Sequence, residues 1–223
     1  MWKELIALFK SEGPLQEAFE EAITMLEASH GMYKDAVAAL RGEGPMAVDI
    51  YERDRLLNKY ERSVRRKIVT HMSVSAKPDI NLGLVLTAIV IDIERIGDYT
   101  KNIMELAAAL DNPLDALELS EEVSRLERTI DGMFGDIVPA LEGPDEARAR
   151  KIMERHSEVS KVVDAAIPRL QDSEVLRGRS GHAVTVALYM RYLKRVSAHI
   201  KNVASSVVNP YHRIGFREKP NDG

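Results

Sequence analysis

No cysteine occurs in the 223-residue chain, which excludes disulfides and thiolate chemistry and fits a reducing compartment. Aromatic residues are scarce, at 5% with a single tryptophan. Neither sign of charge dominates: the formal net charge is −4, and nothing global advertises nucleic acid or an anionic membrane as a partner. No apolar run reaches membrane-spanning length. The longest, Leu82 to Ile91, falls far short of the ~20 residues a helix needs to cross a bilayer. The N-terminal stretch has Glu4 inside its short apolar run and lacks a small-residue cleavage site, so it does not read as a secretory signal. The expectation is a soluble, cytoplasmic protein. A P-loop, a dinucleotide fingerprint and a Ser-His-Asp arrangement are also missing, and the glycines are expected at helix ends.

What is abundant is Ala, Leu, Glu, Lys and Arg, with apolar residues recurring at three- and four-residue spacing. That pattern argues for an all-α protein. Trp2, Leu5, Ile6 and Phe9 predict a short amphipathic helix over residues 1–12, packed on the body of the protein or serving as a hook for a partner or membrane surface. Long helical patterns follow from Leu15 to Leu40, Met46 to Met72 and Asp79 to Leu110. They are separated by Gly-Pro, Ser73–Pro78 and Asp111-Asn112-Pro113.

Then the pattern repeats. Gly31-Met32-Tyr33 returns as Gly132-Met133-Phe134, Ile50-Tyr51-Glu52-Arg53 as Ile152-Met153-Glu154-Arg155, and Lys101-Asn102-Ile103 as Lys201-Asn202-Val203. The offsets of 101, 102 and 100 residues hold register across three helices, which identifies an internal duplication. The second set covers Pro113–Leu141, Pro144–Leu170 and Ser180–Val208, with Pro168 expected to kink or end its helix. The predicted architecture is two tandem antiparallel three-helix bundles, residues 13–111 and 112–209, related by a pseudo-twofold, with a frayed tail over 210–223.

Within the third helix, Leu82, Leu86, Ile89, Ile93, Ile96 and, after a polar break at Thr100, Ile103 form one apolar stripe. Glu94 and Asp98 lie four apart along its edge, and Asn102 continues that row. On the preceding helix Asp54 and Asn58 are again four apart, one turn before and beside Leu57. Antiparallel packing would let the two pairs face each other. Four oxygen ligands suit hard cations, from magnesium and calcium to manganese and iron; a salt bridge with Arg53, Arg55 or Arg95 is the structural alternative. Two further features read as structural: Arg62, Arg65, Arg66 and Lys67 as a solvated basic face, and His71 as a helix-end residue favoured by the dipole.

The segment Ile93-Glu94-Arg95-Ile96-Gly97-Asp98-Tyr99-Thr100-Lys101-Asn102-Ile103 resembles the LERIGD-x-x-x-NI signature of the PhoU family of phosphate-uptake regulators. Asp54-Arg55-Leu56-Leu57-Asn58 is similar to that family's D-x-x-x-[DN] motif, and the resemblance covers nearly the whole chain. It implies metal ions or clusters, of Fe, Mn, Mg, Zn or Ca type, held in the first unit by Asp54, Asn58, Glu94 and Asp98. It also implies a homodimeric, non-enzymatic regulator whose partners are phosphate-transporter components, a sensor histidine kinase or both, touching the membrane only through them. The second unit departs from the pattern: Lys194, Ala198, His156 and Ser160 stand at the equivalents of Glu94, Asp98, Asp54 and Asn58. A degenerate second site is expected. The rival readings are a metal-free helical adaptor and a carboxylate-bridged metalloenzyme, although the Glu-x-x-His pairs of such enzymes are missing.

Overall fold

Helix boundaries in the computed structural model, which describes residues 13–44, 49–143, 145–172 and 180–218, follow cap chemistry. Six long helices run in order: α1 (Pro14–Leu40), α2 (Ile50–Val74), α3 (Ile80–Ala108), α4 (Ser120–Glu142), α5 (Glu146–Asp172) and α6 (Ser180–Val208). Asp49 and Asp79 cap α2 and α3, each accepting from the backbone N–H three residues on at 2.9 Å. Asp145 does the same for Arg148 at the start of α5, also at 2.9 Å. No strand occurs among the described residues. The expected N-terminal helix over 1–12 lies outside them.

Three boundaries differ from expectation. The helix expected from Pro113 starts only at Ser120, after a 3₁₀ turn over Leu117–Leu119. The Leu114 N–H is instead committed to the Leu40 carbonyl at 2.8 Å, and Gly42, at φ 71°, lies where a Cβ would sit 2.5 Å from the Pro113 ring. Only glycine fits that junction. Secondly, α5 runs through Pro168 to Asp172, two residues past the expected Leu170, so of the two expected effects the proline does not end the helix. Thirdly, residues 210–218 are not a loose tail. They form a 3₁₀ turn over Tyr211–Arg213, and they are tied down by Asn209 Nδ2 to the Arg213 and Phe216 carbonyls, at 3.1 and 2.8 Å. Backbone hydrogen bonds in this segment need no apolar period, which is why the sequence pattern gave no sign of them.

Within each unit the three helices pack on one another, and the units meet α1 against α4 and α3 against α6. Each interface helix therefore faces its own equivalent, as a pseudo-twofold requires. The buried apolar residues form one continuous cluster through both units. The predicted α3 stripe is buried throughout. Thr100 does not break it: the hydroxyl is fully buried and donates to the Ile96 carbonyl at 2.8 Å, the local bond that lets a threonine sit in an apolar helix face. At the α1–α4 contact, His30 stacks on Phe134 with centroids 4.7 Å apart and bonds Asp131 at 2.6 Å.

Candidate metal centre and its degenerate twin

Gly97 sets the distance between α2 and α3. It is buried in the middle of α3, and a Cβ there would stand 2.3 Å from Leu57 Cδ1. Gly83, earlier in α3, is crowded by Met72 of α2 in the same way. The expectation that glycines mark helix ends fails at Gly97, as it does at Gly31, Gly132 and Gly135, and at Gly97 and Gly83 the missing side chain admits the neighbouring helix. Because Leu57 lies between Asp54 and Asn58, and Gly97 between Glu94 and Asp98, this close approach brings the two predicted pairs together.

All four predicted residues are partly buried along this seam, and cations already pair with three of them. Lys101 Nζ donates to Asp54 Oδ1 at 3.0 Å and to Asp98 Oδ1 at 3.1 Å. Arg95 donates to Asp98 Oδ2 at 2.9 Å and lies 3.6 Å from Glu94 Oε2. Of the other arginines weighed as partners, Arg53 turns to Asp35 at 2.5 Å. The second unit keeps the same pairing in Arg155–Asp136, at 2.6 Å, so it is a helix-packing bond of the repeat. Asn58 Nδ2 donates to its own helix, at the Asp54 carbonyl, which leaves its Oδ1 as the available oxygen.

Glu94 is the least compensated group. Its side chain is 14% exposed, and burial pushes its carboxyl above the ordinary range, with Asp98, Glu61 and Asp54 adding to the shift and Arg95 opposing it. Glu61, seven residues after Asp54 on the same face of α2, is a fourth carboxylate acting on Glu94. A carboxyl whose folded pKa lies above its unfolded value is better tolerated protonated, so the stability it contributes falls as pH rises through the carboxylate range. Glu94→Gln should therefore stabilise the metal-free protein at pH 7 by about 1 kcal/mol, raising Tm by about 2–4 °C. The gain should disappear below about pH 4, where both forms are neutral. Thermal melts in chelator measure it, and a lower Tm for the variant at pH 7 would refute this account.

The donor set of Asp54, Asn58, Glu94 and Asp98 is all oxygen with excess negative charge, which fits a hard cation chemically. As the side chains stand, no three acidic or imidazole groups among the described residues converge on one ion position. The Lys101 ammonium occupies the space between Asp54 and Asp98.

At the equivalent positions the second unit has no carboxylate, and an ammonium replaces that of Glu94. Lys194 is clamped on Asp164 at 2.6 and 2.7 Å. His156 Nδ1 bonds Ser197 Oγ at 2.9 Å, where the first unit has Gly97. Burial, then Lys201 and Lys194, lower the His156 imidazole to about 4, so it is neutral at physiological pH. Lys201, the counterpart of Lys101, finds no carboxylate and donates to the Gly215 carbonyl at 2.5 Å.

A model of the PhoU domain matches residues 22–107 and again 117–207, one match per three-helix unit. The chain belongs to the PhoU family. Among its relatives are proteins named phosphate-specific transport system accessory protein PhoU homolog. The one from Caulobacter vibrioides is 25% identical over 177 residues, covering 78% of this chain and 77% of its own length. The one from Pseudomonas putida is 24% identical over 198 residues, covering 87% and 77%. The fold is shared with the solved PhoU of Pseudomonas aeruginosa, at TM-score 0.73, 21% identity and coverage of 87% and 95%. It is shared too with the phosphate transport system regulatory protein PhoU of Streptococcus pneumoniae, at TM-score 0.74, 15% identity and coverage of 87% and 93%.

The basic turn of α2 and His71 are partly engaged within the fold of the PhoU repeats. Arg65 pairs with Glu61 at 2.6 Å, and Lys67 with Glu17 and Glu21 at 3.0 and 3.2 Å, while Arg62 and Arg66 are solvent-exposed. His71 Nε2 accepts from the Asp79 N–H at 3.0 Å, fastening the α2–α3 loop. Lys101 was legible as a neighbour of Asp98, three residues away on the same helix, but its reach to Asp54 depends on how closely α2 packs.

Proposed function

We propose that this protein is a regulatory accessory component of a phosphate-transport system, acting by protein binding and not by catalysis. The observation that carries the reading is the match of the PhoU domain to both units together with relatives named as phosphate-specific transport accessory proteins. Its partners on this reading are transporter components, a sensor histidine kinase, or both, engaged in the cytoplasm by a homodimer. No described helix is long and apolar enough to cross a membrane; on this reading membrane contact runs through those partners. Deleting the gene should change phosphate uptake and phosphate-starvation transcription; no change in either would refute the proposal.

A divalent or iron-type metal in the first unit would be held by Asp54, Asn58, Glu94 and Asp98. It would supply a cross-link between α2 and α3 and relieve the mutual repulsion of the carboxylates. Support comes from the acidic excess at the seam and the burial of Glu94, which Arg95 offsets only in part. Metal analysis of the purified protein tests it: Glu94→Ala/Asp98→Ala should abolish bound metal, whereas His156→Ala should leave it. Equal loss from both variants would refute the assignment. One observation favours a second reading, a metal-free adaptor: Lys101 already bridges Asp54 and Asp98. Metal absent from the parent protein would favour that reading.

A further inference from the structure

The surface where the second unit lost its carboxylates has become a cavity. It is an open groove of about 840 Å³ between α5, the Lys201 end of α6 and the segment Gly215–Glu218. Two of its three carboxylates are occupied: Asp164 holds Lys194, and Glu218 holds Arg150 through two bonds of 2.8 and 2.9 Å. Glu154 is left in the same lining as three cations, Lys161, Lys201 and Arg217, none of them in an ion pair among the described residues. The cavity therefore has surplus positive charge.

Lys201 decides what that charge is for. In the first unit the equivalent ammonium sits between two carboxylates, whereas here its one acceptor is the neutral Gly215 carbonyl. Burial holds its ammonium below the ordinary lysine range, with only Asp92 opposing. A part-buried ammonium with three donors and one neutral acceptor has both charge and hydrogen-bonding capacity to spare. His156, in the same wall, adds an acceptor. The Ser197 hydroxyl donates to the Lys194 carbonyl at 2.8 Å, so it must accept from His156 Nδ1–H. That tautomer, assigned from the network, puts the lone pair on Nε2.

We propose that this cavity binds a small oxyanion that carries a hydroxyl, with inorganic hydrogen phosphate as the type. Its charged oxygens would be taken by Lys201, Lys161 and Arg217, and its O–H by His156 Nε2. Sulfate offers the same oxygens but no proton at neutral pH, so it would leave Nε2 without a donor and bind more weakly. The site rests on α5, α6 and the C-terminal segment alone. It deepens the phosphate reading above without depending on it, since binding is measured on purified protein and the regulatory role in cells.

The test is calorimetric titration of the full chain with inorganic phosphate, in chelator and chloride buffer. The expected result is binding of one phosphate per chain, weakened about 10-fold or more in Lys201→Gln and strengthened about 3-fold in Glu154→Gln, which removes the opposing exposed charge. Sulfate should bind at least about 5-fold more weakly, and the difference should close in His156→Leu. Glu94→Ala/Asp98→Ala should leave phosphate affinity unchanged. No saturable phosphate binding, the same affinity in Lys201→Gln, or sulfate equal to phosphate in the parent would each overturn the proposal. Glu154 is on the surface, so its variant keeps the test decisive if Lys201→Gln fails to fold.

Discussion

Replacing Glu127 with alanine should lower the unfolding free energy by about 2–3 kcal/mol, because it removes the acceptor shared by a buried phenol and a half-buried guanidinium. The Glu127 side chain is 11% exposed and sits where the two units meet. Arg41, which caps α1 of the first unit, donates to its Oε2 through Nε at 2.9 Å and Nη2 at 2.5 Å. Tyr189 of α6 donates to its Oε1 at 2.5 Å, and Tyr33 of α1 bonds its backbone carbonyl at 3.2 Å. Burial first, and then the Glu127 charge, push both phenols well above their ordinary range, so they stay neutral donors at any physiological pH. Deleting the carboxylate leaves the buried Tyr189 phenol without its acceptor and the half-buried Arg41 guanidinium with only the Ser124 hydroxyl at 2.9 Å, and the phenol then bears its desolvation cost unpaired. Chemical denaturation followed by circular dichroism measures the effect, and a loss below about 1 kcal/mol would show that the network contributes little. The double variant Arg41→Met/Glu127→Leu should regain much of the loss, because replacing both partners leaves no unpaired charge behind.

The second large effect is expected at Gly97. Valine there would drive a branched side chain into Leu57, which is 1% exposed and already within 2.3 Å of where a Cβ would stand. Overpacking of this kind costs about 1–3 kcal/mol, and the rigid χ1 of valine puts Gly97→Val at the upper end. The second unit supplies a compensation. Its equivalents of Leu57 and Gly97 are Val159 and Ser197, both buried, a smaller residue on one helix set against a larger one on the other. Gly97→Ser alone should therefore destabilise, and Leu57→Val/Gly97→Ser should recover at least half of that loss. Unfolding curves of the single and double variants measure the coupling, and additive losses would refute the size exchange. If the first unit binds metal, Gly97→Val should also release it, although all four oxygen-bearing residues remain.

Much of this was legible along the chain. The 3.6-residue period fixed all six helices because each buries one apolar stripe, and a stripe is a property of local spacing. The duplication was legible because equivalent residues kept their register, and with it came the prediction that Glu94 and Asp98 have lost their counterparts at Lys194 and Ala198. Boundaries were less legible where long-range bonds decide them. Leu114 is kept out of α4 by a carbonyl on α1, and 210–218 are held by side chains of α5 and α6.

By itself, the sequence determined the helical class, the repeat, the family and the identity of the four oxygen-bearing residues. Only the tertiary structure decided which charges those residues meet. Lys101 reaches Asp54 because Gly97 lets α2 approach α3, and Glu127 gathers Arg41, Tyr33 and Tyr189 because α1 and α6 converge on α4. Lys201 faces Gly215 because the chain turns back after α6. Helical periodicity reports which side of a helix is buried, but electrostatic partners are set by distances between helices, and those depend on the packing of side chains from segments far apart in the chain.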